Sequence, residues 1–472
     1  MIRVVVSQGG LLGLLLLGAC SLVPDYVRPN VASPRNWDGV EAEAVQWPSR
    51  DWWKGFRSST LDILIDTAQR NNTDLAAAAA RILQADAQLR IAGASLLPSV
   101  DFTGDVSRTL SRTAANGGRR VDQTDSVGVG LRASYEIDLF GANRASVLAA
   151  DASALLSRFD REAVALSVVS DVANTFFQVL QFRDRLDVAR RNLSNAERVL
   201  EVVEARVNNG AASQLDLAQQ RAQVATQRAA LPNLESQGRQ AENVLGILLG
   251  AGPGDAVGPG SSLLDVVPPP VATGLPSELL IRRPDIQAAE ARLIAANAEI
   301  GVARAAYFPS LNLSAGNSRS ATNLASVLDP ASITYSIAAS LFQPIFQGGA
   351  LDAGVDLADA RRDELVQSYR LIVLSAFADV ENSLVAVRRT GEQEALQQIA
   401  VEQALIGFQL AEERYRAGAA DLLTVLDAQR TLNSAEDQLV QIRFARLLAT
   451  VSLFRSLGGG WRLPGLDGPG NP

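Results

Sequence analysis

Few of the residue types that carry enzyme chemistry occur in this sequence. Its 472 residues include no histidine, a single cysteine (Cys20) and a single methionine. Histidine is the commonest general base and metal ligand, and one cysteine can form neither a disulfide nor a thiolate metal site within a chain. No carboxylate pair, glycine-rich loop or serine motif has catalytic spacing, and GPGDAVGPG is better explained as a linker than as a phosphate loop. We therefore expect no enzyme activity, no metal and no cofactor.

Length and charge narrow the class of protein further. The chain is 47% hydrophobic and carries a net charge of -8 at pH 7. It is long enough for a large core and too long for one ordinary domain. An acidic chain would not neutralise phosphates over a long surface, so we expect no nucleic-acid partner.

The one cysteine lies at the end of an N-terminal targeting segment. Residues 1–19 contain Arg3, an apolar run and then small residues, which predicts a signal peptide. The segment ends in LGAC and resembles a bacterial lipobox, so we expect diacylglycerol and a fatty acyl chain on Cys20. An ordinary signal peptide with a chance cysteine is the alternative. Ser21 is not Asp, which favours sorting to the outer membrane. No other run of about 20 apolar residues follows, so a membrane span would need strands.

A two-residue hydrophobic period marks the candidate strands. The odd positions from Val127 to Leu139 are apolar or aromatic, and the residues between them are small, polar or charged. This alternation predicts a strand at about 126–140, longer than most soluble strands and long enough to cross a membrane when tilted. A shorter alternation follows Pro98, and a polar loop is expected at 113–125.

Long helices are predicted beside these strands. Residues 143–208 contain no proline or glycine, and their apolar positions keep three- and four-residue spacings. A second helical stretch is expected to end near residue 249, with Pro232 as a candidate kink.

The second half of the chain repeats the first. Pro98 corresponds to Pro309 at an offset of 211, and Arg206 corresponds to Arg414 at an offset of 208. Each repeat reads as helix, two strands, long helix and helix. The predicted organisation is a signal peptide (1–19), a lipidated extended arm (20–60), a first repeat (61–250) with strands at about 99–112 and 126–140, a Gly/Pro-rich linker (251–276), a second repeat (277–457) with strands at about 310–321 and 332–346, and a tail (458–472).

Four strands per chain cannot close a barrel. An open sheet edge in lipid would leave backbone groups unsatisfied, so copies of the chain must pool their strands. One alternative is a soluble β-sandwich joined to a helical bundle. Another is a structural lipoprotein stalk.

Several motifs together resemble one known family. They are CSLVPDY, DWWKGF, RRPDI, ARAAYFPS, PIFQGG, ERYRAG, LLTVLDAQR and LGGGW. The chain is identified as a member of the TolC-like outer-membrane channels, in the lipoprotein OprM-like (NodT) branch. The resemblance implies an α+β membrane protein, a homotrimer whose 12-stranded β-barrel is continuous with a periplasmic α-helical barrel. It also implies a lipid-anchored location in the outer membrane, a periplasmic membrane-fusion adaptor and an inner-membrane transporter of the resistance-nodulation-division type as partners.

The implied function is the exit duct of a tripartite efflux pump, passing drugs or other small toxic compounds. Ducts for type I secretion or metal efflux remain open within the channel class, and a lipid-anchored enzyme is a remote rival. The genomic neighbours of the chain would decide among the pump types.

The resemblance also assigns a periplasmic gate to the second helix hairpin. Leu423 matches an apolar plug and Asp427 an acidic ring that would favour cations. Thr424 replaces a second acidic residue of some relatives, so one ring is expected. Tyr415 and Asp216 match a pair that holds adjacent hairpins closed, or else form an ordinary cap and interface pair. Ala420 replaces an arginine of that link, and Arg416 is a candidate substitute.

Overall fold

The computed structural model describes residues 21–34, 36–37, 47–115, 118–252, 262–271, 274–327, 329 and 333–461. Its helices are α1 Ser59–Asn71, α2 Thr73–Ala94, α3 Ala142–Asn208, α4 Gln214–Leu248, α5 Leu279–Arg282, α6 Pro284–Ala305, α7 Ala350–Arg416 and α8 Leu422–Ser456. Its strands are β1 Ser99–Ala115, β2 Gly118–Ile137, β3 Ser310–Ala321 and β4 Ile333–Phe342. Short 3-10 helices occupy Trp52–Phe56, Leu263–Asp265 and Pro276–Glu278. The order of helix, two strands and two long helices occurs twice, which confirms the predicted fold class.

The four strands form one antiparallel sheet in the order β1-β2-β3-β4. The register pairs Phe102 with Leu131, and Leu131 with Asn317 in turn. Because neighbouring residues of a strand point to opposite faces, the register collects the apolar residues on one face. The exposed large members of this apolar face are Val100, Phe102, Val106, Leu110, Val121, Leu131, Leu313, Tyr335, Ile337 and Leu341.

The opposite, polar face carries serine, threonine and charged residues. Ser99 and Ser134 share a hydrogen bond of 2.9 Å between their hydroxyls, and Ser126 and Ser320 share one of 3.2 Å. β1 and β4 each pair with one neighbour only, so the sheet has two open edges.

Three strands differ in length from the sequence prediction. β2 begins at Gly118 and not near 126, and β1 continues to Ala115, so most of the expected polar loop is strand. Hydrophobic alternation could not reveal this part of the hairpin, because polar residues occupy both of its faces. β4 ends at Phe342 and not at 346, because Pro344 follows and supplies no backbone donor.

β2 also ends earlier than predicted, at Ile137 and not at 140. Asp138 instead caps helix α3, where its carboxylate accepts hydrogen bonds from the backbone N–H groups of Asn143 (3.3 Å) and Arg144 (2.9 Å). An acidic side chain at a helix N-terminus satisfies donors that have no partner within the helix.

The long helices match their predicted extents to within about two residues, the ordinary uncertainty of helix ends. Pro232 lies inside α4 without ending it. One helix of the described part, Ala142–Asn208, has a stretch apolar enough to cross a membrane, and 56% of that stretch is buried in the protein. A buried core helix passes the same test.

The chain divides into two compact units. The first comprises the chain up to Pro29 with Arg81–Ser157 and Ala288–Tyr369, and so contains the sheet. The second comprises Asn30–Ala80, Arg158–Gln287 and the chain from Arg370 onward. Its core centres on an aromatic cluster, in which Trp52 stacks on Phe454 with ring centroids 4.9 Å apart and Phe56 lies 5.1 Å from Phe177.

The start of the N-terminal arm lies on α6, within the first unit. Arg28 donates two hydrogen bonds to Glu290, of 2.7 Å from Nε and 2.6 Å from Nη2. Asn297 donates to the Pro24 carbonyl at 2.6 Å. Gly301 allows the closest approach, because a Cβ atom there would lie 2.5 Å from Val23 Cγ2. The arm has no regular secondary structure at residues 21–34, as predicted for an extended segment.

Candidate functional site

The candidate gate lies where the long helices of the second unit turn back. One hairpin joins α3 to α4 and the other joins α7 to α8. Both turns use the same C-terminal geometry: the N–H of Ala211 donates to the Arg206 carbonyl, and that of Ala419 to the Arg414 carbonyl, each at 2.8 Å. Gly210 and Gly418 have φ of 72° and 74°, a left-handed conformation that favours glycine at this position.

A shared apolar cluster packs the two hairpins together. Its central members are Val203 from α3, Phe408 from α7 and Val425 from α8. Tyr415 belongs to the same cluster and is only 4% exposed. The turns are therefore anchored on buried side chains.

Arg206 lies between the two hairpins. Its guanidinium carbon is 4.6 Å from the centroid of the Tyr415 ring, and Nη1 donates to the Tyr415 carbonyl. Nη2 reaches the carbonyl of Ala211 at 3.4 Å. One side chain thus joins the end of α7 to the turn after α3. The sequence predicts the equivalence of Arg206 and Arg414 but no role for Arg206. Its position one residue before the equivalent of Tyr415 was the available signal.

Tyr415 and Asp216 make no hydrogen bond with each other within the chain. Asp216 Oδ2 accepts from the Ser213 N–H at 2.8 Å and from its hydroxyl at 2.9 Å, while the Asp216 N–H donates to Ser213 Oγ at 3.1 Å. This is a capping box at the start of α4. Asp216 thus acts as a helix cap, which the sequence left open as the alternative to a gate link.

The hydroxyl of Tyr415 is buried without a hydrogen-bond partner among the described residues. Burial raises the pKa of Tyr415 above its ordinary value, Arg206 opposes the shift, and Asp216 adds to it. A buried hydroxyl without a partner is costly, so this group weakens the packing of the two hairpins.

Arg416 and Thr424 are also engaged locally. Arg416 Nη2 donates to Glu412 at 2.6 Å, one helical turn back, and does not reach Tyr415 or Asp216. Thr424 donates from its N–H (3.0 Å) and hydroxyl (2.6 Å) to Asp421, the N-cap of α8. These two hydrogen bonds, the hydroxyl's first, lower the pKa of Asp421. The sequence DLLT was the signal for this cap, and the sequence analysis missed it.

Leu423 and Asp427 are both solvent-exposed in the single chain. The Leu423 side chain has no cover at the start of α8 and is 55% exposed. Asp427 forms an exposed ion pair of 3.3 Å with Arg430, one turn further along. Arg430 is a functional neighbour that the predicted gate lacks, although an acidic residue followed three places later by arginine on a helix predicts such a pair.

Two other expectations concern chemistry away from the hairpins. Cys20 and the signal peptide lie outside the described residues. Within the described ranges, no group of three or more acidic, histidine or cysteine side chains could hold a metal ion.

Known proteins share both halves of this architecture. A sheet with an exposed apolar face, followed in each repeat by paired long helices, defines a class of membrane channel subunits. A model of the outer membrane efflux protein family matches residues 64–251 and 275–459, one match per repeat. The chain belongs to this family of outer-membrane efflux channels.

Individual relatives match along almost the full chain. The pyoverdine export outer membrane protein OpmQ of Pseudomonas putida is 44% identical over 459 residues, covering 95% of this chain and 96% of the relative. The toluene efflux pump outer membrane protein TtgI of Pseudomonas putida is 33% identical, covering 95% and 97%. A crystal structure of CusC superposes with a TM-score of 0.83 at 30% identity, covering 93% of this chain and all of that one.

Proposed function

We propose that three copies of this chain form the exit duct of a tripartite efflux pump, with twelve pooled strands crossing the outer membrane. The observation that carries the proposal is the sheet: one face is apolar and exposed, the other is polar, and both edges are open. A water-filled barrel in lipid has an apolar outer face and a polar inner face. The duct conducts passively and has no enzymatic role.

The partners follow from the place of an exit duct in a pump. A channel in the outer membrane has no energy source of its own, so an inner-membrane transporter must drive export and a periplasmic adaptor must join the two. The relatives named as parts of a toluene efflux pump and of pyoverdine export support this assignment. We assign the transporter to the proton-driven resistance-nodulation-division type.

The cargo is a small molecule that the transporter selects. Relatives whose names specify cargoes as different as pyoverdine and toluene share the full length of this chain. The duct itself therefore carries little cargo specificity, and drugs or other small toxic compounds fit it equally well.

The gate is assigned to the hairpin of α7 and α8. Three copies of Leu423 would meet at the pore axis as an apolar plug, and three copies of Asp427 would form an acidic ring just beside it. Tyr415, Asp216 and Arg416 lie at the two hairpin turns and are assigned to the contacts that hold adjacent hairpins closed.

The anchor is a lipid on the sulfur and amino group of Cys20. Palmitate labelling of the wild-type protein and of Cys20→Ser tests it directly. Label in the wild type and none in the variant is expected, and an unlabelled wild-type protein would refute the anchor.

Cysteine cross-linking between sheet edges tests the pooled barrel. The chain has one native cysteine, so introduced pairs can be interpreted cleanly. Thr103→Cys on β1 is combined in turn with Thr334→Cys, Ser336→Cys and Ala338→Cys on β4, all on the polar face. One of the three registers should yield covalent dimers and trimers on oxidation, whereas each single variant should yield none. Monomers in every register would overturn the proposal.

A further inference from the structure

Each repeat places one arginine at the same distance from the start of its first strand, on the apolar face of the sheet. Arg108 lies nine residues after Ser99, the first residue of β1, and Arg319 lies nine residues after Ser310, the first residue of β3. The two arginines are equivalent at the repeat offset of 211. The register puts Arg108 on the face of Val100 and Phe102, and Arg319 on that of Leu313.

Nine residues match the thickness of the membrane. At about 3.3 Å per residue they extend about 30 Å along the strand, or about 23 Å along the membrane normal at a tilt of about 40°. The apolar band of an outer-membrane barrel is about 25 Å tall. If the strands enter the membrane next to Pro98 and Pro309, both arginines reach the far boundary of the hydrocarbon region.

The surroundings of these arginines are positively charged. Arg108 is held by Asp125, with Nε–Oδ1 2.7 Å and Nη2–Oδ2 3.0 Å, yet its side chain remains 65% exposed. Arg112 lies on the same face, four residues further along β1, and is exposed. Of the described strand positions at this end of the apolar face, three carry arginine (Arg108, Arg112 and Arg319) and one carries aspartate (Asp125). The whole chain, in contrast, carries a net charge of -8.

A guanidinium group at this height would meet lipid headgroups. Arginine binds phosphate through two parallel hydrogen bonds, and its planar group is weakly hydrated, so it suits a membrane boundary. Charged residues on the lipid-facing side are tolerated near the interfaces and costly at the midplane. The side-on contact with Asp125 uses Nε and Nη2 of Arg108 and does not involve Nη1.

We propose that Arg108 and Arg319 bind the phosphate groups of the outer-leaflet glycolipid, forming a ring of six arginines around the trimeric barrel. Arg112 extends the ring towards phosphates further from the bilayer, and Asp125 orients Arg108 and limits its affinity. This assignment rests on the proposed function, because it needs the barrel to stand in the outer membrane.

Retention of diphosphoryl lipid A by the purified full-length protein tests the proposal. The protein is extracted in mild detergent and incubated with diphosphoryl lipid A, monophosphoryl lipid A or inorganic phosphate, and native mass spectrometry counts the lipids bound per oligomer. The variants are Arg108→Gln with Arg319→Gln, and Asp125→Asn alone. Arg132→Gln is the matched control, since Arg132 lies in the same sheet on the polar face.

The double variant should lose affinity for diphosphoryl lipid A by about tenfold or more, the loss of charge-assisted hydrogen bonds to phosphate. Asp125→Asn should raise the affinity, and Arg132→Gln should leave it unchanged. Diphosphoryl lipid A should bind better than the monophosphoryl form, and excess inorganic phosphate should not displace it.

The phosphate site would be overturned if wild-type trimers bind diphosphoryl lipid A no better than the double variant does. The channel proposal would remain intact in that case. If inorganic phosphate at equal concentration displaces the lipid, the ligand of this site is free phosphate and not lipid A. If the wild-type protein forms no trimers, the proposed function fails, and this inference fails with it.

Discussion

Several residue differences distinguish the gate hairpin from its counterpart in the first repeat, and four of them bear on the candidate gate. At the offset of 208, Tyr415 corresponds to Val207, Asp427 to Gln219, and Arg430 to Ala222. Thr424 corresponds to Asp216. The acidic residue that caps the helix therefore lies at the third helical position, Asp216, in the first repeat and at the N-cap, Asp421, in the second. The second hairpin alone carries the tyrosine and the acid–base pair, which is the reason to seek gating chemistry there and not in the first.

Asp427→Asn should abolish the cation preference of the channel. Three carboxylates near the pore axis favour cations. In the variant, Arg430 loses its ion-pair partner, and its positive charge would favour anions. We expect the cation-to-anion permeability ratio, measured from reversal potentials in a salt gradient, to fall by about two- to fivefold. Arg430→Gln is the matched variant and should raise the ratio. A ratio that neither substitution changes would remove the acidic ring from the account.

Tyr415 should make the hairpins less stable at high pH. Because burial raises the pKa of this phenol, the folded state keeps the proton after the unfolded state has released it. The stabilisation is complete below the ordinary tyrosine pKa of 10.0 and is lost as the pH rises above it. Tyr415→Phe keeps the ring beside Arg206 and removes the titration.

Thermal unfolding of the wild type and Tyr415→Phe at about pH 8 and about pH 10.5 measures this effect. The wild type should lose more stability between the two pH values than the variant does. Equal losses in both proteins would show that Tyr415 is not the group responsible.

At the scale of elements, the sequence predicted what depends on hydrophobic period and missed what depends on side-chain hydrogen bonds. The four strands and the long helices follow from two-residue and three-to-four-residue spacings, and so do the faces of the sheet. The tip of the β1–β2 hairpin carries polar residues on both faces, so it has no hydrophobic period from which a strand could be predicted. Asp138 was assigned to a strand by its spacing, although its carboxylate caps α3.

The candidate site was predicted in part for the same reason. The positions of Leu423, Asp427 and Tyr415 come from a resemblance, and the structure puts them at the ends of one hairpin. The partners of Tyr415, Asp216 and Arg416 could not be read from it, because Arg206, Ser213 and Glu412, respectively, contact them through individual rotamers and not through a repeating pattern.

The arm on α6 offers a test of packing at the element scale. In Gly301→Ala the new methyl group would lie 2.5 Å from Val23 Cγ2 and 3.0 Å from Val23 Cα, so the arm must shift. We expect chymotrypsin to cleave after Tyr26 about tenfold faster, the effect of about 1.4 kcal/mol of lost docking energy.

Gly93→Ala is the control for this variant. Gly93 lies in α2, and nothing stands within 4 Å of its would-be Cβ atom. The control should be cleaved at the wild-type rate. An arm that is equally protected in Gly301→Ala would mean that residues 21–29 are not held against α6.

At the scale of the whole molecule, a single chain is only one part of the proposed channel. Its sheet exposes an apolar face and two open edges, its gate hairpin exposes Leu423 and Asp427, and the Tyr415 hydroxyl is buried without a partner among the described residues. The open edges and the exposed apolar face are costly in an isolated chain, and the proposed arrangement of copies around a pore in lipid would pair the edges and cover the face.

Single-channel recording of the purified full-length protein in planar bilayers tests the central claim most directly. The protein should run as a trimer in light scattering and insert to give discrete conductance steps. Leu423→Ser with Tyr415→Phe should raise the conductance, because the plug and its support are both weakened. A trimer that inserts but conducts no ions in either form, or a protein that remains monomeric in detergent, would contradict the account of this chain as an efflux duct.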